Sequence, residues 1–121
     1  MSALRDFAKS VKYAVRGLKE IAKQEASFRL QLFAASGVLV LIIVLDLAMW
    51  ERVLLILMVS AVLVLEVINS IFERISDVLK PRLHPMVRDV KDMMAGAVLL
   101  TSVTAVVVAI LIFWSYFQEL V

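Results

Sequence analysis

Three long apolar segments constrain the fold of this 121-residue chain more than any other feature. They cover residues 30–49, 53–79 and 93–117, and a bilayer-spanning helix needs roughly 20 apolar residues. Apolar residues make up 63% of the chain, whereas about half is usual in a soluble domain. The pattern predicts an all-α integral membrane protein with three transmembrane helices, forming a single membrane domain over residues 1–121.

Basic residues are distributed unevenly among the segments that flank the spans. Residues 1–29 hold seven Lys and Arg, residues 73–92 hold five, and the turn between the first two spans holds only Arg52. Because Lys and Arg accumulate on the cytoplasmic side of membrane proteins, the N-terminus and the 73–92 loop are predicted to be cytoplasmic. The C-terminus is predicted to lie outside. Asp46 and Glu51, at the outer turn, are expected to be solvated surface charges.

Residues 4–27 show the pattern of an amphipathic helix that lies at the membrane surface. At 100° per residue, eight apolar residues form one stripe, namely Leu4, Phe7, Val11, Ala14, Val15, Leu18, Ile21 and Ala22. Basic residues occupy the opposite face, as expected beside anionic headgroups. Glu25 lies at the same angle as Phe7, on the apolar stripe. An acid in that position is not explained if the segment is only an anchor.

The second span carries a polar stripe at its C-terminal end. In "VLLILMVSAVLVLEVINSIFERISD", Glu66, Asn69, Glu73 and Asp77 fall within an arc of about 80° along roughly 16 Å of helix. A charge at membrane depth costs at least ~2.5–3.5 kcal/mol and normally marks a functional site. Carboxylates and an amide carbonyl are hard oxygen ligands that suit Mg²⁺. The alternative is a buried polar stripe that only joins helices.

Basic residues follow this stripe and indicate a site for phosphate. The cluster comprises Arg82, His84, Arg88 and Lys91, with the acidic Asp92 beside Lys91, and Lys91 and Asp92 are expected at the start of the third span. Helix N-termini favour anions, and Lys adds a point charge for phosphate. A lipid hydroxyl could meet a metal-bound nucleotide here, which is the chemistry of a lipid kinase. With only three glycines and no cysteine, the chain has neither a Gly-rich phosphate loop nor thiolate chemistry.

Three motifs resemble those of the prokaryotic diacylglycerol kinase family, which includes undecaprenol kinases. They are "LEVINSIFERISD", "HPMVRDVKDMMAGAVLL" and "YAVRGLKEIAKQEASFRLQL", and the resemblance covers nearly the whole chain. It implies ATP-dependent transfer of the γ-phosphate to diacylglycerol, giving phosphatidic acid, or to undecaprenol, giving undecaprenyl phosphate. The choice between these lipids stays open. The resemblance also implies a homotrimer with shared sites in the bacterial cytoplasmic (inner) membrane.

Roles carried over from the family fall on identifiable positions. Glu66 matches the catalytic base, and Glu25 and Glu73 match the pair that holds Mg²⁺. The positions implied for ATP binding are Tyr13, Asn69, Glu73, Asp77, Arg82, His84, Lys91 and Asp92. Those implied for the lipid substrate are Ser27, Phe28, Arg29, Gln31, Arg52 and Glu66. The family's N-terminal ATP-contacting Arg aligns with Asp6, where Arg5 or Lys9 could substitute.

Two other functional classes are compatible with the same segments. A small proton-coupled membrane transporter could use Glu66 as its ion site, although such transporters usually have four spans. A non-catalytic membrane scaffold could be anchored by the basic N-terminal helix. No nucleic acid partner is expected.

Overall fold

The structure, a computed structural model, describes residues 2–79 and 85–120. These residues form four helices and no strand: α1 (Ser2–Gln24), α2 (Ala26–Val44), α3 (Met49–Leu79) and α4 (Pro85–Leu120). Helices α2, α3 and α4 are each long and apolar enough to cross a membrane. The all-α class is therefore confirmed for the described residues, and each of the three predicted spans corresponds to a candidate membrane-spanning helix. Arg82 and His84, predicted to bind ATP, lie outside the described residues.

Helix α3 is central to the packing. It contacts α4 most extensively and α2 less so, while α1 contacts α2. The buried apolar core lies at the end of the molecule that contains the α2–α3 turn, and consists of Ile42, Leu47, Leu55, Ile112 and Phe113. Most other large apolar side chains of α2–α4 are exposed, as expected for helices that face lipid or other proteins. The polar stripe occupies the opposite end of α3.

A single residue, Glu25, separates α1 from α2. Its backbone is extended, with φ −110° and ψ 109°, so α1 ends three residues before the predicted boundary at residue 27. The Arg29 guanidinium donates to the carbonyl oxygens of Ala22 at 2.9 Å and Lys23 at 2.8 Å. These bonds satisfy carbonyls that a helix C-terminus leaves free. Ser27 consequently lies in the first turn of α2, and not before the span.

Helix α4 begins at Pro85, not near residue 93 as the hydropathy predicted. Proline is favoured at the first helical position because its missing N–H would have no partner there. Lys91 and Asp92 therefore lie about two turns inside α4. The expectation that they stand at a helix N-terminus is wrong, because the helix already includes residues 85–92, whose charged side chains had placed them outside the span.

Glu51 is buried, with 9% of its surface exposed, so its assignment as a solvated surface charge is wrong. Its Oε1 accepts a hydrogen bond from the backbone N–H of Ala48 at 2.9 Å and another from the Tyr116 hydroxyl at 2.7 Å. An acid at the third position of a helix commonly bonds back to the preceding N–H in this way. Asp46 is exposed, as expected.

Candidate active site

The side chain of Glu66 is buried on α3, with 4% of its surface exposed. Its two carboxylate oxygens meet two donors from α2. The Ser27 hydroxyl donates to Oε1 at 2.6 Å, and the Gln31 amide donates to Oε2 at 3.5 Å. Ser27 and Gln31 are four residues apart, which places them on one face of α2. The α2–α3 contact therefore holds the carboxylate from both sides.

Both donors to Glu66 are neutral groups. Burying a carboxylate is costly unless it is hydrogen-bonded, and these bonds offset part of that cost without cancelling the charge. An ionised carboxylate offers about four acceptor positions, so the two observed bonds leave Glu66 able to accept a further proton donor. The arrangement is chemically suited to a general base that receives a proton from a hydroxyl.

Asn69 and Glu73 continue the polar stripe towards the C-terminal end of α3. Asn69 is 9% exposed, and its Nδ2 donates to Glu73 Oε1 at 3.4 Å. The amide oxygen Oδ1 of Asn69 is buried and has no hydrogen-bond partner. Buried polar atoms are rarely left unpaired, so this oxygen is a candidate to bind a ligand. It lies on the same helix face as the Glu73 carboxylate, and oxygens of both kinds bind Mg²⁺.

Glu25 is half-buried at the α1–α2 junction, and its side chain makes no capping bond to α2. A hydrogen bond from the Arg74 guanidinium to the Gln24 amide oxygen connects this junction to α3. That bond joins the residue before Glu25 to the residue after Glu73. The two carboxylates predicted to hold a metal therefore flank one interhelical contact.

Within residues 2–79 and 85–120, no group of three or more His, Asp or Glu side chains is placed to hold a metal ion. Mg²⁺ commonly takes one or two carboxylates and completes its coordination with substrate phosphates and water. Glu25 and Glu73 supply the donor chemistry of that type of site, and two carboxylates are too few for a metal held by protein ligands alone.

The other residues predicted to bind ATP are spread over three helices. Asp77 is exposed on α3, Lys91 is half-buried on α4, and Asp92 is exposed beside it. Tyr13 is exposed on α1, where the Arg16 guanidinium stacks 5.6 Å from its ring centre. Tyr13 lies about 16 Å along α1 from Gln24. Hydrogen bonds of the described residues link Asn69 and Glu73 directly, but none links Tyr13, Asp77, Lys91 or Asp92 to Glu66.

The residues predicted to face the lipid substrate are also divided. Ser27 and Gln31 contact Glu66, and Arg29 bonds the last carbonyls of α1. Arg52 lies at the other end of α3, about 21 Å along the helix from Glu66. Its Nη2 donates to Leu45 O at 3.5 Å, and its Nε is buried without a partner. The structure does not bring Arg52 together with the other predicted lipid contacts.

An apolar groove of about 500 Å³ lies between α1, α2 and α3. Its lining includes Leu18, Ala22, Phe28, Leu63 and Val67. Phe28 follows Ser27 and Val67 follows Glu66 in the chain, so the groove lies on the helix faces next to those that carry Ser27 and Glu66. Apolar clefts of this size are typical of ligand sites. The groove was not predictable from the sequence, because its walls come from three separate helices.

Ser70 is a further buried residue to which the sequence assigned no role. It is 1% exposed, and its hydroxyl has no hydrogen-bond partner. The signal was present, because Ser70 directly follows Asn69 within "LEVINS". Asn69 and Ser70 thus place two unpaired polar atoms on consecutive residues of α3, about 100° apart around the helix.

Comparison with known proteins agrees with this arrangement. A sequence model described as prokaryotic diacylglycerol kinase matches residues 12–113. The chain is 32% identical to the undecaprenol kinase of Bacillus subtilis (strain 168) over 110 residues, which is 91% of this chain and 89% of the relative. It is 33% identical to the diacylglycerol kinase of Escherichia coli (strain K12) over 109 residues, 90% of this chain and 89% of the relative.

These relatives are phosphotransferases, so the comparisons lend no support to a proton-coupled transporter. The family match covers most of the chain, including the first two spans, most of the third and the whole polar stripe. The resemblance seen in the motifs is confirmed: the chain belongs to the prokaryotic diacylglycerol kinase family of membrane lipid kinases.

Proposed function

We propose that this protein transfers the γ-phosphate of ATP to the hydroxyl of a membrane lipid, with Glu66 as the general base. The observation that carries the proposal is the buried Glu66 carboxylate, held by two neutral donors and able to accept another. The lipid hydroxyl donates to Glu66, which takes its proton as the new oxygen–phosphorus bond forms. The bond from that phosphorus to the β–γ bridging oxygen of ATP breaks, and ADP leaves. A positioned base typically contributes ~10²–10⁴-fold to such a rate.

Glu25 and Glu73 would hold Mg²⁺ in this reaction. The unpaired amide oxygen of Asn69 beside Glu73 supports a ligand at this position. When bound with ATP, the ion neutralises charge on the β- and γ-phosphates. Lys91 would add positive charge near the phosphates, and the remaining nucleotide contacts are proposed to be Tyr13, Asn69, Asp77, Arg82, His84 and Asp92.

The apolar groove between α1, α2 and α3 would hold the lipid tail, with the lipid hydroxyl directed to Glu66. Its lining is almost wholly apolar, which suits a hydrocarbon or isoprenoid chain. Diacylglycerol and undecaprenol are equally favoured as substrates. The similarity to a relative of each name is nearly equal, at 33% and 32% identity.

We place α1 on the cytoplasmic surface of the bacterial inner membrane as an amphipathic helix. Its exposed apolar residues, such as Leu4 and Phe7, would enter the interface, and its basic face would meet anionic headgroups. The N-terminus and the region of residues 73–92 would be cytoplasmic and the C-terminus outside. Twelve of the thirteen Lys and Arg of the chain lie in residues 1–29 and 73–92. This distribution supports the orientation, because Lys and Arg accumulate on the cytoplasmic side of membrane proteins.

We propose that residues 1–121 form a single membrane domain that assembles as a homotrimer with sites shared between subunits. The exposed apolar faces of α2 and α4 leave room for other copies. A Cβ added at Gly37 or Gly96 would meet no atom within 4 Å. Small residues at open faces permit close helix packing in membranes.

Phosphate transfer from ATP and Mg²⁺ to diacylglycerol and to undecaprenol, offered separately in mixed micelles, tests the proposal. Transfer to either lipid by purified protein is expected, and the faster reaction identifies the substrate. Absence of transfer to both, from protein shown to be folded, would overturn the proposed reaction. Proton flux across vesicles without ATP consumption would point to a transporter instead.

A further inference from the structure

A second hydroxyl group already contacts the proposed base. Ser27 Oγ donates to Glu66 Oε1 at 2.6 Å, at the short end of the range for hydroxyl hydrogen bonds. A serine hydroxyl within hydrogen-bond reach of a base is the arrangement that activates a nucleophile. Ser27 is an exposed residue whereas Glu66 is buried, and the hydrogen bond between them is part-buried, so the pair lies at the boundary between the protein surface and its interior.

Ser27 also lies close to Glu25, one of the two residues proposed to hold Mg²⁺ beside the phosphates of ATP. It is two residues from Glu25, so their Cα atoms are at most about 7 Å apart. The Gln24–Arg74 bond brings the Glu73 segment to the same junction. A γ-phosphate held there for a lipid hydroxyl on Glu66 would face two hydroxyl groups that share one carboxylate.

The position of Ser27 in α2 favours a phosphate group on its side chain. Ser27 is the second residue of α2, and Glu25 provides no side-chain cap to that helix. The first N–H groups of a helix lack intrahelical partners. A phosphoserine at a helix N-terminus is stabilised by these donors and by the helix dipole.

We propose that Ser27 is an internal phosphoryl acceptor, phosphorylated by the protein's own site when no lipid hydroxyl occupies Glu66. This inference rests on the proposed function. Glu66 takes the Ser27 Oγ proton as Oγ bonds to the γ-phosphorus of ATP. The bond from that phosphorus to the β–γ bridging oxygen breaks, and ADP leaves. Glu66 ends protonated, so the new phosphate faces a neutral carboxyl group.

The modification would restrict kinase activity to membranes that contain the lipid substrate, because the enzyme would inactivate itself where that lipid is absent. A phosphate on Ser27 Oγ blocks the approach of a lipid hydroxyl to Glu66 Oε1. A lipid hydroxyl bound first competes with Ser27 for the same phosphoryl group. Self-phosphorylation is therefore greatest without lipid substrate and declines as that lipid is added.

The experiment incubates the full-length protein in phosphatidylcholine vesicles with γ-labelled ATP and Mg²⁺, without diacylglycerol or undecaprenol. Protein-bound phosphate is quantified and located by mass spectrometry of peptides. The expected result is phosphate on Ser27, lowered about 100-fold or more in Glu66→Gln because the base is lost, and absent in Ser27→Ala. Ser36→Ala is the matched control, since Ser36 is an exposed serine of α2 that bonds only to the backbone oxygen of Leu32.

Parallel assays with lipid distinguish a failure of the Ser27 inference from a failure of the proposed kinase function. Wild-type protein that phosphorylates lipid but carries no phosphate on Ser27 overturns this inference alone. Label that persists in Ser27→Ala or in Glu66→Gln overturns it as well. Protein that is folded and labels neither lipid nor itself overturns the proposed function together with the inference. Ser27→Thr keeps a hydroxyl group and is expected to retain self-labelling if the fold is intact.

Discussion

The Tyr116 hydroxyl donates a hydrogen bond to Oε1 of Glu51 at 2.7 Å and so joins the C-terminal part of α4 to the first turn of α3. The same oxygen accepts from the Ala48 N–H at 2.9 Å. The buried Glu51 carboxylate thus closes the contact between the start of α3 and the C-terminal part of α4, at the end of the molecule opposite the candidate site. The apolar core, including Leu55 and Phe113, lies at this same end.

Replacing Glu51 tests this closure. Glu51→Ala removes the bond to the helix start and leaves the Tyr116 hydroxyl without its acceptor, so the free energy of unfolding should fall by about 1–2 kcal/mol. Unfolding in mixed micelles with increasing denaturing detergent measures the change. Glu119→Ala, at an exposed acid near the end of α4, is the control and should change stability little. Equal stability of wild type and Glu51→Ala would show that the closure contributes nothing.

Glu51 also illustrates what the sequence could not predict. A lone acid next to a turn is usually solvated, and its acceptor role depends on Tyr116, 65 residues away. The three spans were predictable because each apolar run is long enough by itself to cross a bilayer. The start of α4 was misplaced because hydropathy marks the lipid boundary, while the helix continues past it to Pro85.

The candidate site was predicted in part. Helical spacing alone put Glu66, Asn69 and Glu73 on one face of α3, and the Asn69–Glu73 hydrogen bond is consistent with that spacing. The bond from Ser27 to Glu66 spans 39 residues and depends on how α2 packs against α3. No periodicity within one helix contains that information. Only the family resemblance indicated that Ser27 and Gln31 belonged near the site.

Arg29 is predicted to stabilise the end of α1. Its guanidinium donates hydrogen bonds to two carbonyl groups there. Arg29→Ala should therefore lower the free energy of local opening by about 1 kcal/mol and speed amide hydrogen exchange near residues 20–24 about five-fold. Lys23→Ala, on the same turn and exposed, is the control. Exchange rates that rise equally in both variants would mean that the capping bonds do not matter.

Glu25 and Glu73 are predicted to determine the Mg²⁺ requirement. Glu25→Gln and Glu73→Gln should each raise the Mg²⁺ concentration for half-maximal kinase activity about ten-fold or more, because each removes a charged ligand. The double variant should be less impaired than the sum of both, since the residues share one ion. Asp46→Asn, an exposed acid near the opposite end, should leave the requirement unchanged. An unaltered Mg²⁺ dependence in both single variants would remove the metal role from this pair.

The apolar groove is predicted to affect lipid binding more than ATP binding. Ala22→Phe projects a larger side chain into the groove and removes volume that the lipid tail would occupy, and a loss of about 1.4 kcal/mol in binding is ten-fold in affinity. The KM for lipid should therefore rise about ten-fold while the KM for ATP stays within two-fold. Ala3→Phe, near the exposed start of α1 and well before Val15, the first residue of the groove lining, is the comparison. A rise in the KM for ATP alone would assign the groove to the nucleotide.

The central claim is that Glu66 acts as the base, and the rate of phosphate transfer to lipid in Glu66→Gln tests it most directly. Glu51→Gln is the matched control, since it neutralises the other buried glutamate of α3 at the opposite end. Glu66→Gln is expected to lose about 10²–10⁴-fold of the rate, while Glu51→Gln stays within a few-fold of wild type and both variants remain folded. Wild-type transfer by Glu66→Gln, or an equal loss in both variants, would contradict it.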